Sequence, residues 1–348
     1  MPTLFDPITL GDIDCANRIF MAPMTRSRAG KGDAPTKMNA LYYGQRASAG
    51  LIITEGVYPN FDGKGYVRTP GIVTDEQTAG WKLVADAVHA KGGKIVMQIM
   101  HCGRVASHHN KPASSRTLAP SAIQAKGEMY TDAAGMQPND MPEEMSLAEI
   151  EQTIADFGQA TKNALAAGCD GVELHCTSGY LPAQFLSTGT NKRSDKYGGS
   201  LENRLRFVTE VLEVMIEAAG AGRVGIRICP GNPFNDLSDD NPEETFRALI
   251  TAINPMGLAY LHVIRMKAGV DNIALAKDFG GPVILNDSYD IERGNRALDE
   301  SKADAISFGG YYVSNPDLVE KFKAGTELTK TDYKTLYTVG PKGYVDYD

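Results

Sequence analysis

The sequence predicts a (β/α)₈ barrel, and three observations carry that expectation. A short, β-rich apolar run recurs eight times between residues 18 and 310, usually after Gly or Asp. The runs are continuously apolar, without strict alternation, as suits parallel strands covered on both faces. Amphipathic helical stretches separate them, which implies βαβ units. Eight such units close a barrel, whereas five or six suit an open doubly wound sheet.

In chain order the strand candidates are RIFMAPM (18–24), LIITEG (51–56), KIVMQIMH (94–101), GVELH (171–175), VGIRIC (224–229), AYLHVI (259–264), PVILND (282–287) and AISFGG (305–310). The helix DEQTAGWKLVADAVHAKGG ends in a glycine pair suited to a C-cap. The stretch from Ser146 to Gly168 opens with Ser146 and Glu149 at capping-box spacing and runs apolar at helical period. NPEETFRALITAI places Pro242 and two acids in a first turn, where the helix dipole favours them. Residues 102–145, rich in Pro, Ser, Gly and Met, interrupt the rhythm after the third strand, and an insertion on that side hangs over the mouth of a barrel. The C-terminal stretch DYKTLYTVGPKGYVDYD carries four tyrosines and is expected to fold back on the barrel. No interdomain linker is visible, so residues 1–348 are expected to form one domain.

Bulk properties exclude several function classes. A formal charge of -8 and a pI near 5.4 argue against a broad basic surface for nucleic acid. No apolar run approaches the roughly twenty residues of a membrane helix, and MPTLFDPITLG lacks a signal-peptide pattern, so the cytoplasm is the expected compartment. The cysteines Cys15, Cys102, Cys169, Cys176 and Cys229 are odd in number with no C-x-x-C pair, and are read as reduced thiols. The expected partner is a small-molecule substrate, bound by a monomer or homodimer.

In such a barrel the carboxyl ends of the strands point into the site, so polar residues there are candidates for chemistry. They are Thr25, Glu55 and Gly56, Gln98 and His101, His175 and Tyr180, Arg227, His262 and Arg265, Asn286 and Tyr289, and Gly309 and Gly310. The cluster His101, Cys102, His108 and His109 fits no zinc spacing and has no interleaved acid, so no metal is expected. Arg227 lies inside an apolar strand, where an unpaired guanidinium is costly and an anionic partner is needed. Either an internal salt bridge with Glu55 or Glu173 supplies it, or an anionic cofactor or substrate does. His175, Ser178 and Tyr180 form the most pointed local feature. An imidazole and a hydroxyl can hold a carbonyl oxygen as charge develops on it, and a nearby phenol can deliver a proton. The plainer alternative has Tyr180 as core and His175 satisfying a backbone carbonyl.

At these residues the sequence resembles the old yellow enzyme family, in the branch of N-ethylmaleimide and 2-cyclohexenone-type reductases. The likeness covers nearly the whole chain: LFDPITLG, NRIFMAPMTRSRA, YYGQRASAGLIITEG, QIMHCGR, HCTSGYLPAQFLSTGTNKRSDKYGGSLENRLRF, SFGGYYVSNPDL and PKGYVDY. The long central block is highly specific to the family. The resemblance implies an FMN barrel in which NAD(P)H reduces the flavin and the flavin passes hydride to the β-carbon of an activated alkene, the protein positioning and polarising. By motif position, Pro23, Thr25, Gly56 and Gln98 would line the isoalloxazine, with Arg227 beside its N1 and C2-oxygen edge. Asn286, Tyr289, Gly309 and Gly310 would lie on the cofactor's other contacts in the seventh and eighth loops. His175 and Ser178 would grip the substrate carbonyl, and Tyr180 would protonate the α-carbon.

Three departures from the family pattern stand out. Ser178 replaces the usual Asn or His, a shorter donor that puts substrate preference in question. Gly310 stands where the family has an arginine that clamps the FMN phosphate, and Asp287 brings an extra acid close to the same place. Loss of one charge-assisted contact would weaken FMN by roughly 1.5 to 3 kcal/mol, about one to two decades in affinity. Backbone amides of the seventh and eighth loops remain as phosphate donors. The rival expectation is a flavin-free barrel using the same donors and phenol for a non-redox isomerase, cyclase or lyase reaction; a binding barrel would leave the retained polar set unexplained.

Overall fold

The computed structural model describes residues 2–266 and 269–347. Eight strands form a closed barrel in sequence order: β1 (Ile19–Met21), β2 (Ile52–Ile53), β3 (Ile95–Ile99), β4 (Gly171–Cys176), β5 (Val224–Ile228), β6 (Tyr260–Ile264), β7 (Val283–Asn286) and β8 (Ala305–Phe308). All neighbours pair in parallel, and β8 closes onto β1. Each lies within its predicted apolar run or, for β4, runs one residue beyond it. Every strand residue is buried except Ile264, which is half-buried. That burial is the physical source of the continuous apolar pattern.

The strand alternation divides the core in two. Ile19, Met21, Ile52, Ile95, Met97 and Ile99 point outward to the helices, in one cluster with Trp81, Phe157 and Phe207. Their inward neighbours Phe20, Ile53 and Val96 join Tyr260, Ile284 and Ala305 against Leu10, Ile13 and Cys15. The last three belong to an antiparallel hairpin, Ile8–Leu10 with Ile13–Cys15, which the recurring-run pattern did not predict. Its turn requires Gly11, at φ +57°, because a Cβ there would fall 2.3 Å from the Gly222 carbonyl oxygen.

The helices begin where their caps require. In Leu147–Ala166 the Ser146 side chain accepts from the Glu149 N–H, and the Glu149 carboxylate accepts from the Ser146 N–H at 2.7 Å. The helix Asp75–His89 closes as Gly93 N–H donates to the Val88 carbonyl, with Gly92 left-handed. In Pro242–Ile253, Pro242 occupies the first turn behind Asn241 as cap.

Residues 102–145 build two small sheets, a parallel pair of Leu118–Ala119 with Glu143–Glu144 and a hairpin of Glu128–Thr131 with Gly135–Pro138. Cys102, Val105, Ala125 and Met129 from this segment pack with Met100 and Tyr180, so the insertion covers one side of the barrel mouth. The C-terminal stretch folds back as expected. Tyr344 is fully buried and stacks on Tyr42 with ring centroids 4.0 Å apart. Arg26 and Arg28 hold the turn below it, donating to the carbonyls of Gly343 at 2.6 Å, Leu336 at 2.8 Å and Thr335 at 2.8 Å.

Candidate active site

A buried polar layer lies under the barrel mouth. Gln98 Nε2 donates to Glu173 Oε1 at 2.7 Å, which leaves the Gln98 carbonyl oxygen for the cavity that Gln98 lines. His262 Nδ1 lies 2.9 Å from the other Glu173 oxygen, and its Nε2 lies 2.8 Å from the Ser307 hydroxyl. Glu173 is therefore fully engaged, and its partners are fixed.

Arg227 projects from β5 into the same region, opposite His175 in the strand register. Its guanidinium is buried, with 7% of the residue exposed. Nη2 donates to Asn286 Oδ1 at 2.7 Å, and Asn286 Nδ2 donates in turn to the Ser307 carbonyl at 2.9 Å. Nε has no partner. Among the described residues no carboxylate lies within salt-bridge distance of Arg227: Glu173 is held by Gln98 and His262, and Glu55 accepts instead from the Arg26 N–H and the Tyr43 hydroxyl. Burial depresses the Arg227 pKa, with Glu173 pulling the other way. The internal salt bridge that the sequence left open is thus not formed, and the cation faces a cavity.

That cavity, about 420 Å³, gathers Pro23, Thr25, Gly56, Gln98, His175, Ser178, Tyr180, Arg227 and Gly310 on its walls. His175 is buried, with Nδ1 unpartnered, and its ring lies 5.0 Å from that of Tyr180. Burial first, then the charges of Arg227 and His262, hold the His175 pKa well below the usual imidazole value, so it is a neutral donor. Ser178 takes a left-handed conformation at φ +57°, and its carbonyl accepts from Asn235 Nδ2 at 2.7 Å. The Tyr180 hydroxyl lies 2.9 Å from that of Tyr66. Burial, followed by the neighbouring Tyr66, raises the Tyr180 pKa well above that of a free phenol, so the hydroxyl keeps its proton.

The remaining predicted residues lie next door. Asn286, Tyr289, Gly309 and Gly310 line an adjoining cavity of about 640 Å³, and Gly310 is common to both. Arg265 lies outside both cavities, its guanidinium 4.7 Å from the Tyr289 ring centroid. His101 is fully buried, accepts from the Gly103 N–H at 3.1 Å, and is kept neutral by a pKa pushed down to about 3, chiefly by burial. His108 stacks on His109 beside Asp140. Among the described residues no group of three or more His, Cys, Asp or Glu side chains could hold a metal.

Several wall residues escaped sequence reasoning. Met100, Phe234, Tyr333 and Tyr337 line the catalytic cavity, and three of these aromatics are strongly exposed, Phe234 at 61%, Tyr333 at 73% and Tyr337 at 59%. They come from the fifth loop and the C-terminal stretch. Exposed large aromatics on a cavity rim are a signal only once the chain is folded.

Glu55 sits behind the wall and gives the fold a pH dependence. Burial pushes its carboxyl up to about 7, against the Arg26 N–H and charge that lower it. The folded-state pKa exceeds the unfolded value, so ionised Glu55 opposes folding: the penalty is absent below about pH 4.5, grows up to pH 7 and is complete above it. Glu55→Gln is expected to stabilise the protein at pH 8 by on the order of 3 kcal/mol and to leave it unchanged at pH 4.5, read as thermal melts at both values.

Comparison with known proteins places this geometry. The sequence pattern of the NADH:flavin oxidoreductase / NADH oxidase family matches residues 3–329. A probable flavin mononucleotide-dependent alkene reductase of Leishmania infantum is 40% identical, covering 99% of this chain and 96% of that protein. A putative 12-oxophytodienoate reductase 5 of Oryza sativa subsp. japonica is 38% identical over 97% of this chain and 92% of its own. Among solved structures, the old yellow enzyme homologue from Zymomonas mobilis superposes with a TM-score of 0.96 at 38% identity, covering 100% of this chain and 99% of that one. Morphinone reductase in complex with tetrahydroNAD gives 0.95 at 42% identity, covering 100% and 98%.

Proposed function

The chain belongs to the NADH:flavin oxidoreductase / NADH oxidase family, and on that footing we infer its reaction: it is an FMN-dependent ene-reductase that reduces the activated C=C bond of α,β-unsaturated carbonyl compounds with NAD(P)H. The single observation that carries this reading is Arg227, a buried cation with an orphaned Nε and only a neutral amide as partner, facing a cavity. An electron-rich flavin edge supplies the missing acceptor. The flavin-free alternative leaves that guanidinium without a partner, and the relatives named above as flavin or ene-type reductases do not favour it.

The residues fit FMN. Arg227 and the free carbonyl oxygen of Gln98 would hold the isoalloxazine, with Pro23, Thr25 and Gly56 along its edge and face. Asn286, Tyr289, Gly309 and Gly310 line the space into which the ribityl phosphate would extend. With no arginine at position 310, the phosphate clamp is weakened. When bound, FMN supplies the redox chemistry, accepting hydride from NAD(P)H and delivering it to the alkene β-carbon.

The chain's own residues polarise and protonate. His175, a neutral N–H donor, and Ser178 hold the substrate carbonyl and stabilise the charge that grows on its oxygen. Tyr180 delivers a proton to the α-carbon, its high pKa keeping it charged with that proton at neutral pH. The exposed aromatics Phe234 and Tyr337 cover the substrate. Among the described residues no helix is long and apolar enough to cross a membrane, and all five cysteines are buried and unpaired; both suit a protein working in the reducing cytoplasm. An absorbance spectrum of the purified protein, repeated during FMN titration, tests the reading: flavin bands and NAD(P)H-dependent reduction of 2-cyclohexenone are expected, and a colourless protein that takes up no FMN would refute it.

A further inference from the structure

The cavity beside Gly310 contains a cation that the catalytic reading does not use. It shares Gly310, Thr331 and Tyr333 with the catalytic cavity, so a molecule seated on Arg227 has room to extend into it. Two charged side chains line it among the described residues, Asp287 and Lys330. Lys330 has no hydrogen-bond or ion-pair partner among those residues.

The backbone that carries Lys330 is anchored on both sides. The Thr329 N–H donates to Asn315 Oδ1 at 2.8 Å, and the Thr329 carbonyl accepts from the Ser314 hydroxyl at 2.7 Å. The Thr331 hydroxyl donates to the Gly310 carbonyl at 2.8 Å. Ser314 and Asn315 are fully buried, so the anchor is rigid. The competing cations are engaged elsewhere: Arg265 and Arg293 both donate to the Ser288 carbonyl, at 3.3 and 3.2 Å, and line a different cavity. They brace Asp287 and Ser288, two consecutive non-glycine residues at φ +77° and +59°. At Gly310 a Cβ would meet nothing nearer than the Tyr333 hydroxyl, at 4.0 Å, so the phenol tip overlooks unfilled space.

We propose that Lys330, with the Tyr333 hydroxyl, holds the FMN phosphate in this chain, making the C-terminal stretch a cofactor latch. This rests on the FMN reading above. An ammonium acts as a point charge without the paired geometry of a guanidinium, and Asp287 opposes it across the cavity. The contact is consequently sensitive to salt.

Riboflavin differs from FMN by the phosphate alone, so the ratio of their dissociation constants isolates this contact. Both are measured by quenching of flavin fluorescence with the wild type, Lys330→Gln, Tyr333→Phe and Gly310→Arg. The wild type is expected to prefer FMN by about tenfold, less at high salt. Lys330→Gln should bring the two flavins within a few-fold of each other without changing riboflavin binding, Tyr333→Phe should lower the ratio by a smaller factor, and Gly310→Arg should raise it. An unchanged ratio in Lys330→Gln, or no FMN preference in the wild type, overturns the latch while leaving the flavin site intact. Binding of neither flavin to any form removes the FMN reading and the latch together.

Discussion

Tyr180→Phe is expected to separate the two halves of the catalytic cycle. Oxidation of NAD(P)H should proceed at the wild-type rate, whereas alkene reduction should fall by about 10²- to 10⁴-fold, the range for loss of a positioned general acid. The ring is buried among Met100, Cys102, Val105, Ala125 and Met129, and phenylalanine fills that volume, so packing is retained. What is lost is a single hydroxyl, held protonated by burial and 2.9 Å from Tyr66. Stopped-flow absorbance resolves the two steps. If alkene reduction kept its rate, the proton would come from elsewhere and the role given to Tyr180 would be wrong.

Arg227→Met should abolish useful FMN binding while sparing the fold. Truncating one partner of a buried hydrogen-bonded charge pair costs roughly 2 to 5 kcal/mol, or about 30- to several-thousand-fold in affinity. In the flavin-free protein the opposite sign is expected. There the guanidinium is buried with no carboxylate within reach, and replacing an uncompensated buried charge by an apolar side chain is neutral or stabilising. Thermal melts without and with FMN distinguish the cases: the variant should melt no lower than the wild type without flavin and should gain nothing from added FMN. A large loss of stability without flavin would instead make Arg227 a structural residue.

The barrel was legible because burial on both strand faces writes itself as continuous apolar runs, and each of the eight strands formed within its run or, for β4, one residue past it. Runs overshot most strands: RIFMAPM became Ile19–Met21, since Pro23 and Met24 already belong to the wall of the site. The hairpin at Ile8–Cys15 was missed because three-residue strands carry little periodicity, although the Gly11–Asp12 turn marks it. In the site, residues at strand ends were readable from their register, as with His175 beside Arg227. Phe234, Tyr333, Tyr337 and Lys330 were not. They reach the cavities from loops and from a stretch held by Arg26 and Arg28 across some three hundred residues of sequence, and no local pattern encodes such a contact. Arg227 lay between these extremes: its need for an anion was visible in sequence, but the absence of a carboxylate partner required the fold.

Diffraction from crystals grown with excess FMN measures that need directly. Flavin density in the cavity, with the Arg227 Nε and Nη atoms within hydrogen-bond distance of the ring's edge, is the predicted result. Crystals whose cavity is plugged by the protein's own side chains, with Arg227 turned onto Glu173, would contradict it.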